Sequence, residues 1–175
     1  MSTLYVDSIQ PKTTGQAITV ATTNQSLGKL LQVVQGSKIT GDALTSTSFA
    51  TTGLSVNITP TSTSSKILIT ANWFAGYPTQ NYGMILTLYR NSINLDLNSA
   101  RTGFAHIGDS SGGGQRTYQG LSMSCQFLDS PNTTSETTYG LYYKMDGGTG
   151  YFNRNRQGDA ASQATCIIIA QEIGG

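Results

Sequence analysis

Short stretches of alternating apolar and polar residues recur along most of the chain. In residues 121–127 the odd positions are apolar and the even positions are polar, and Leu54, Val56 and Ile58 share one face of another such stretch. Successive side chains of a β-strand point to opposite faces of a sheet, so a period of two is typical of half-buried strands. Residues 141–145 repeat the pattern. The alternation therefore predicts β-strands.

Turn-forming residues separate these stretches. Asn91 and Ser92 form a candidate tight turn, and Gly147-Gly148 offers the positive φ angles of a two-residue turn that would make a second hairpin. The spacing predicts an all-β fold, an antiparallel β-sandwich or barrel with about eight to ten strands. The strand candidates are residues 31–34, 54–59, 66–74, 84–89, 93–97, 121–127, 141–145, 150–153 and 165–170.

The first 29 residues differ from the rest, because they contain few large apolar side chains. Their β-like pieces, 4–6 and 17–21, are separated by Pro11 and Gly15, and such a segment buries too little surface to fold alone. We therefore expect an extended N-terminal attachment arm over residues 1–29 and one β-sandwich domain over residues 30–175. The arm residues expected to dock are Leu4, Tyr5, Val6 and Ile9.

The last strand candidate, 165–170, is apolar on both faces. Most antiparallel sheets keep one face in water, so something must cover the second face. The economical cover is another subunit, with either Ile167 and Ile169 or Ile168 and Ala170 facing a symmetry axis. The segment therefore predicts self-association through these four residues.

Composition narrows the choice of partners. Ser and Thr are abundant, and Thr fits a pleated sheet better than a helix. Charged residues make up only 11% of the chain and the formal net charge is +1, so there is no basic stripe to bind nucleic acid. Neither a long apolar run nor a basic start followed by one is present, which predicts no membrane insertion and no signal peptide.

One motif suggests catalysis. Residues 108–113 read Gly-Asp-Ser-Ser-Gly-Gly, which resembles the nucleophile turn of chymotrypsin-like proteases with one extra serine. The mechanism needs a histidine base oriented by an acid, yet the sole histidine, His106, lies four residues before Ser110. A Gly/Ser-rich surface loop is the favoured interpretation.

Other candidate chemistry is equally sparse. Asn94, Asp96 and Asn98 would share one face of a strand and could hold a cation or a sugar hydroxyl, although a solvated strand face is favoured. Cys125 and Cys166 lack metal-site spacing, which favours reduced buried thiols and leaves a disulfide as the alternative. The nine acidic residues suggest no carboxylate pair for glycoside hydrolysis. We expect no enzyme activity, no catalytic residue, no metal and no cofactor.

Two aromatic groups could recognise a ligand, because aromatic and arginine side chains are favoured at binding surfaces. We expect Trp73, Phe74 and Phe152 to pack in the core or at a subunit seam. The remaining receptor-binding candidates are Tyr77, Tyr82, Arg154 and Arg156.

Short sequence pieces in a fixed order carry a resemblance. They are residues 1–9 with 11–13, 31–35, 54–60 with 64–69, 88–91, 128–131, 137–139, 147–149 and the Ile-rich end closing on 172–174. Over most of its length the chain thus resembles short virion proteins of tailed bacteriophages, particularly phages of cyanobacteria, which are often described as tail-fibre or structural proteins.

The resemblance implies a homotrimer with a jelly-roll-like body, an arm that docks on other virion proteins of tail or capsid, and exposed loops available to a host surface polysaccharide. The implied function is that of a non-enzymatic tail fibre or fibre-tip protein, located in the virion after assembly in the host cytoplasm. A capsid decoration protein that stabilises the phage head is the alternative. No catalytic residue is implied.

Overall fold

The computed structural model describes residues 28–79, 81–96, 103–108, 119–157 and 163–174. Within these ranges the chain forms strands and no helix, which confirms the predicted all-β fold. The arm residues Leu4, Tyr5, Val6 and Ile9 lie outside the described residues. The strands are β1 (Leu30–Lys38), β2 (Asp42–Leu44), β3 (Ala50–Ile58), β4 (Lys66–Gly76), β5 (Gly83–Arg90), β6 (Ile93–Asn94), β7 (Ala105–Gly108), β8 (Gly120–Asp129), β9 (Thr137–Met145), β10 (Gly150–Phe152) and β11 (Cys166–Ile173).

Two antiparallel sheets contain these strands. In sheet A, β11 lies between β1 and β4, β8 pairs with the other edge of β4, and β10 joins the end of β4 to β2. In sheet B, β9 lies between β3 and β5, and both β6 and β7 pair with β5. The C-terminal strand is therefore an interior strand of the larger sheet.

The inward faces of the two sheets form one hydrophobic core. Alternate residues of β3, β4, β9 and β11 are buried, as a period of two requires when one face packs on another sheet. Trp73 and Phe152 are in this core, as expected. The largest fully buried side chains are Tyr139, Phe152, Leu54, Ile58, Ile67, Ile69, Met84, Leu86, Leu88, Leu141, Met145 and Ile168.

The two predicted hairpins have different outcomes. Strands β5 and β6 pair around Asn91, which has a positive φ of 52°, so the first hairpin is confirmed. The second is wrong: β9 belongs to sheet B and β10 to sheet A, so Gly147-Gly148 joins two sheets. The left-handed φ of 62° at Gly148 is that of a turn, but local turn chemistry does not specify which sheet receives the next strand. Strands β2 and β7 are too short to show periodicity and were missed.

An ion pair between the buried Asp129 and the half-buried Arg90 connects the sheets at one end. Arg90 of β5 donates two hydrogen bonds from Nη1 to the Asp129 carboxylate of β8, at 2.9 and 2.8 Å, and the Tyr139 hydroxyl of β9 donates a third at 2.6 Å. Burial and this hydrogen bond raise the pKa of Tyr139. Because the three groups come from both sheets, they fix how one sheet is placed on the other.

A second buried carboxylate lies at the same end of sheet A, where Ile67 of β4 separates Glu172 from Asp129 in the strand register. Glu172 of β11 is fully buried, and it accepts hydrogen bonds from Gln32 Nε2 of β1 at 2.7 Å and from the amide and hydroxyl of Thr61 at 2.7 and 2.8 Å. Gln32 Nε2 also lies 2.7 Å from the Thr59 carbonyl oxygen. Burial raises the pKa of Glu172, but the hydrogen-bond donors around the carboxylate outweigh it and lower the pKa to about 2. Ser65 Oγ is close enough to contribute, although it makes no hydrogen bond of its own.

Removing the Asp129 carboxylate tests the first of these connections. We expect Asp129→Ala to lower the free energy of unfolding by about 3 kcal/mol, because Arg90 and the Tyr139 hydroxyl lose their acceptor in a buried site. The matched control is Asp42→Ala, whose partner is Lys38 at 2.8 Å and whose side chain is 44% exposed; it should cost less than about 1 kcal/mol. Urea unfolding measures both, and equal costs would contradict the structural role of the buried pair.

Glu172 should make stability depend on acid. Its pKa falls from 4.5 to about 2 on folding, so the carboxylate stabilises the fold above pH 4.5 and this contribution is lost as the pH falls toward 2. We expect Glu172→Gln to cost about 1–3 kcal/mol at neutral pH and the gap from wild type to close over that acid range. Urea unfolding as a function of pH measures it, with the exposed Glu136→Gln as control. A gap that stays constant would contradict the low pKa.

Candidate functional site

The outward face of β1, β11, β4 and β8 is a candidate interaction surface, called here the sheet A face. It is composed of neutral polar and apolar side chains, with Lys66 as the only charged residue that these four strands place on it. Val33 and Leu128 on its two edge strands are 52% and 49% exposed. The other members are Gln35, Ser37, Ile167, Ile169, Gln171, Ile173, Leu68, Thr70, Asn72, Phe74, Ser122, Ser124 and Gln126.

The four residues predicted to self-associate divide between the two sides of β11. Ile168 and Ala170 are fully buried in the sandwich core, so their assignment to an interface is corrected: sheet B already covers them. Ile167 and Ile169 are half-buried on the sheet A face, opposite Asn72 and Thr70. Of the two alternatives in the sequence, the tertiary structure therefore leaves the pair Ile167 and Ile169 for contact with another chain.

A shallow groove of about 230 Å³ lies at one end of the sheet A face. Phe74 is in its lining and is half-buried; a Cβ added to Gly120 would lie 2.2 Å from Phe74 Cζ, so the ring covers that glycine. Trp73 Nε1 is buried without a hydrogen-bond partner. The remaining lining residues are Asn72, Ser122, Met123, Ser124, Ala164 and Thr165. Since these residues adjoin Ile167, the groove is part of the same surface.

The opposite outer surface, that of sheet B, carries a cluster of rings. Tyr89 of β5 and Tyr142 of β9 are stacked with centroids 4.1 Å apart, and Phe49, next to β3, tilts against Tyr89 at 5.9 Å. Lys144 Nζ lies 6.0 Å from the Phe49 centroid. Burial raises the pKa of Tyr89, and Tyr142 adds to the rise. We call Phe49, Tyr89, Tyr142 and Lys144 the aromatic platform.

The predicted receptor residues lie on two adjacent segments at one end of the sandwich. Tyr77 is half-buried against the core, and Tyr82 is 43% exposed. Arg154 lies 5.5 Å from the Tyr151 ring centroid, and Arg156 is half-buried in the following turn. Reciprocal hydrogen bonds join the segments.

Those bonds run between Thr79 and Thr149, from the Thr79 amide to the Thr149 carbonyl at 2.8 Å and from the Thr149 amide to the Thr79 hydroxyl at 3.0 Å. Tyr82 packs over the turn between them, because a Cβ added to Gly147 or Gly148 would lie 2.4 or 2.5 Å from its ring. This packing gives the exposed tyrosine a structural role and leaves its function as a receptor contact a prediction.

The candidate catalytic and metal-binding residues are only partly described. Asp109–Gly113 of the protease-like motif and Asn98 lie outside the described residues. Asn94 Oδ1 accepts hydrogen bonds from Thr87 Oγ1 at 2.8 Å and from the Asp96 amide at 3.0 Å, so it stabilises the local turn. The described ranges contain no group of three His, Cys, Asp or Glu side chains placed to hold a metal ion.

Both cysteines are free thiols, as expected; Cys166 is buried, whereas Cys125 is only half-buried. Burial raises the pKa of Cys125 to about 12, an effect that a hydrogen bond to the Ala71 backbone only partly offsets. Burial likewise raises the pKa of Cys166. Since the thiolate is the reactive form, neither residue is a nucleophile near neutral pH.

The sequence pattern alone did not single out either outer surface. Val33, Leu68 and Leu128 occupy outward positions, and each has at least one apolar sequence neighbour, so the local pattern does not distinguish them from interior residues. Tyr89 and Tyr142 face outward, but the inward positions of β9 also include Tyr139 and Tyr143, so the residue type gives no sign of which tyrosines are on the surface. The contact between Tyr89 and Tyr142 could not be read locally, because they lie on different strands, 53 positions apart in the sequence (142 minus 89).

Across the described ranges, no helix has the length and hydropathy needed to cross a membrane. No model of a protein family matches the chain, and no curated protein matches it.

Proposed function

We propose that the protein is a non-enzymatic structural component of a bacteriophage particle, a homotrimeric tail fibre or fibre-tip protein. Residues 1–29 anchor it to other virion proteins, and the β-sandwich is its exposed body, which contacts host surface glycans. Its location is the virion, after assembly in the host cytoplasm. The ordered sequence pieces that resemble short phage virion proteins support this proposal, and so does the sheet A face.

The sheet A face is the observation that carries the proposal of self-association. Its two edge strands are long and expose Leu31, Val33, Leu121 and Leu128, and unprotected edges of this kind recruit other chains unless they are covered. Interface cores are depleted of charge, as this face is. By contrast, outward strand positions that stay in water usually include Lys and Glu.

A second copy of the chain fits this face best. Apart from Lys66 the face is neutral, so bringing two or three copies together places no set of like charges in contact. Ile167 and Ile169 supply apolar area near its centre, and Gln35, Gln171 and Gln126 supply hydrogen-bonding groups around them. The number three comes from the resemblance to trimeric phage proteins.

Disrupting the face should dissociate the assembly. We expect size-exclusion chromatography with light scattering to give three times the chain mass of 18.6 kDa for the full chain. Ile169→Lys should give the single-chain mass with an unchanged circular dichroism spectrum, because a desolvated lysine has no acidic partner there. Ile93→Lys, at a 52% exposed isoleucine of sheet B, is the matched control and should keep the trimer. A wild-type protein with the single-chain mass at high concentration would contradict the proposal.

Labelling the intact particle tests the position. A gold-binding tag fused after Gly175 should appear at the tail fibres in negative-stain images, if the arm anchors the protein there. Label on the head would replace this assignment with the alternative, a capsid decoration protein. In that case particles that lack the protein should rupture at a lower temperature, because a ligand that binds only the assembled shell stabilises it by mass action.

A further inference from the structure

The aromatic platform differs from the rest of the outer surface of β3 and β9, whose side chains are small and polar. The outward residues around it on β3 and β9 are Thr51, Ser55, Asn57 and Thr138. A ring that remains partly in water forgoes part of the stabilisation that burial would give. Three such rings side by side on one surface suggest a use other than folding.

A glycine under the rings allows their close approach. Gly140 lies opposite Tyr89 in the register of β5 and β9, and it is buried although it faces outward. A Cβ at this position would lie 3.3 Å from Tyr142 Cε2, so Tyr142 covers the glycine. The missing side chain at Gly140 therefore leaves room for the rings of Tyr89 and Tyr142 to stack with their centroids 4.1 Å apart.

The surroundings of the rings are neutral and rich in hydrogen-bonding groups. Thr138 Oγ1 donates to Asn57 Oδ1 at 2.9 Å, and the Thr138 amide donates to Asn91 Oδ1 at 3.0 Å. Lys144 is the only charged side chain that β3, β9 and β5 place on this outward face. The platform thus combines three partly exposed aromatic rings, two of them stacked on each other, with amides, hydroxyls and one cation at its edge.

We infer that the aromatic platform is a binding site for an acidic oligosaccharide, whose pyranose rings stack on Tyr89, Tyr142 and Phe49 and whose carboxylate pairs with Lys144. A pyranose has an apolar face of C–H groups that matches an aromatic ring and equatorial hydroxyls that match amide and hydroxyl partners. The single cation selects a sugar acid over a neutral sugar.

This inference deepens the proposed function and rests on it for its biological setting, the recognition of a host glycan. It moves the recognition surface from the loop end, with Tyr77, Tyr82, Arg154 and Arg156, to the outer face of sheet B. If the sheet A face holds the copies together, sheet B turns toward solvent, so one site is presented per copy. Binding by purified protein does not depend on where the protein lies in the particle.

The test uses the full chain and hexasaccharides of galacturonate, glucuronate and mannuronate, each with its neutral carboxyl-reduced counterpart. We expect at least one uronate to bind in calorimetry and in saturation-transfer NMR. Tyr142→Ala should weaken that binding about tenfold, because one aromatic contact with the ligand is lost, whereas Tyr142→Phe should keep it. Lys144→Gln should weaken the uronate about threefold and leave the neutral counterpart unchanged.

Tyr82→Ala is the matched control, because it removes a more exposed tyrosine outside the platform, and it should bind as the wild type does. Circular dichroism establishes the fold of each variant; should Tyr142→Ala not fold, Phe49→Ala and Lys144→Gln decide. Three outcomes would overturn the inference: no uronate binds, Tyr82→Ala removes binding while the platform variants keep it, or a single-stranded oligonucleotide competes with equal affinity. A single-chain wild-type protein that still binds would overturn the trimer and leave this site standing.

Discussion

The pairing of β11 between β1 and β4 is the constraint on which the rest of the sandwich depends. An interior strand needs a hydrogen-bonding partner on each side. The partners of β11 are Leu30–Lys38, 128 to 143 positions earlier (166 minus 38 and 173 minus 30), and Lys66–Gly76. Once this register is fixed, Ile168 and Ala170 must enter the core, and Ile167 and Ile169 must face outward. The apolar excess of the last strand thereby becomes a property of one surface.

Two buried polar groups make this arrangement specific, since packing of aliphatic side chains alone tolerates shifts. Glu172 binds donors from β1 and from the segment after β3, and Asp129 binds Arg90 and Tyr139 of sheet B. Each would be left buried with unpaired hydrogen-bonding groups if a strand slipped by one residue. Both lie level with Ile67 at the same end of sheet A, two strands apart, and their partners outside sheet A hold the two sheets in one relative placement.

The two outer surfaces differ in chemistry, and the difference suggests a division of labour. The sheet A face is broad, neutral and bounded by unpaired edge strands, which suits association with copies of itself. The outer surface of sheet B has stacked rings, amides and one lysine, which suits a flexible polar ligand with an apolar face. A sandwich can serve both roles because the core is formed by the inward side chains, so the outward side chains of each sheet can bind a different partner.

The sequence by itself determined the all-β class and most strand positions, because a period of two is a local property. It left Trp73 and Phe152 between the core and a subunit seam, and the tertiary structure places both in the core. The sequence also identified the last strand as too apolar for a wet surface. Only the tertiary structure decided which side of that strand is covered, that Gly147-Gly148 joins two sheets, and that Tyr89 meets Tyr142. The reason is that strand order and register depend on pairings between distant residues, which no local pattern specifies.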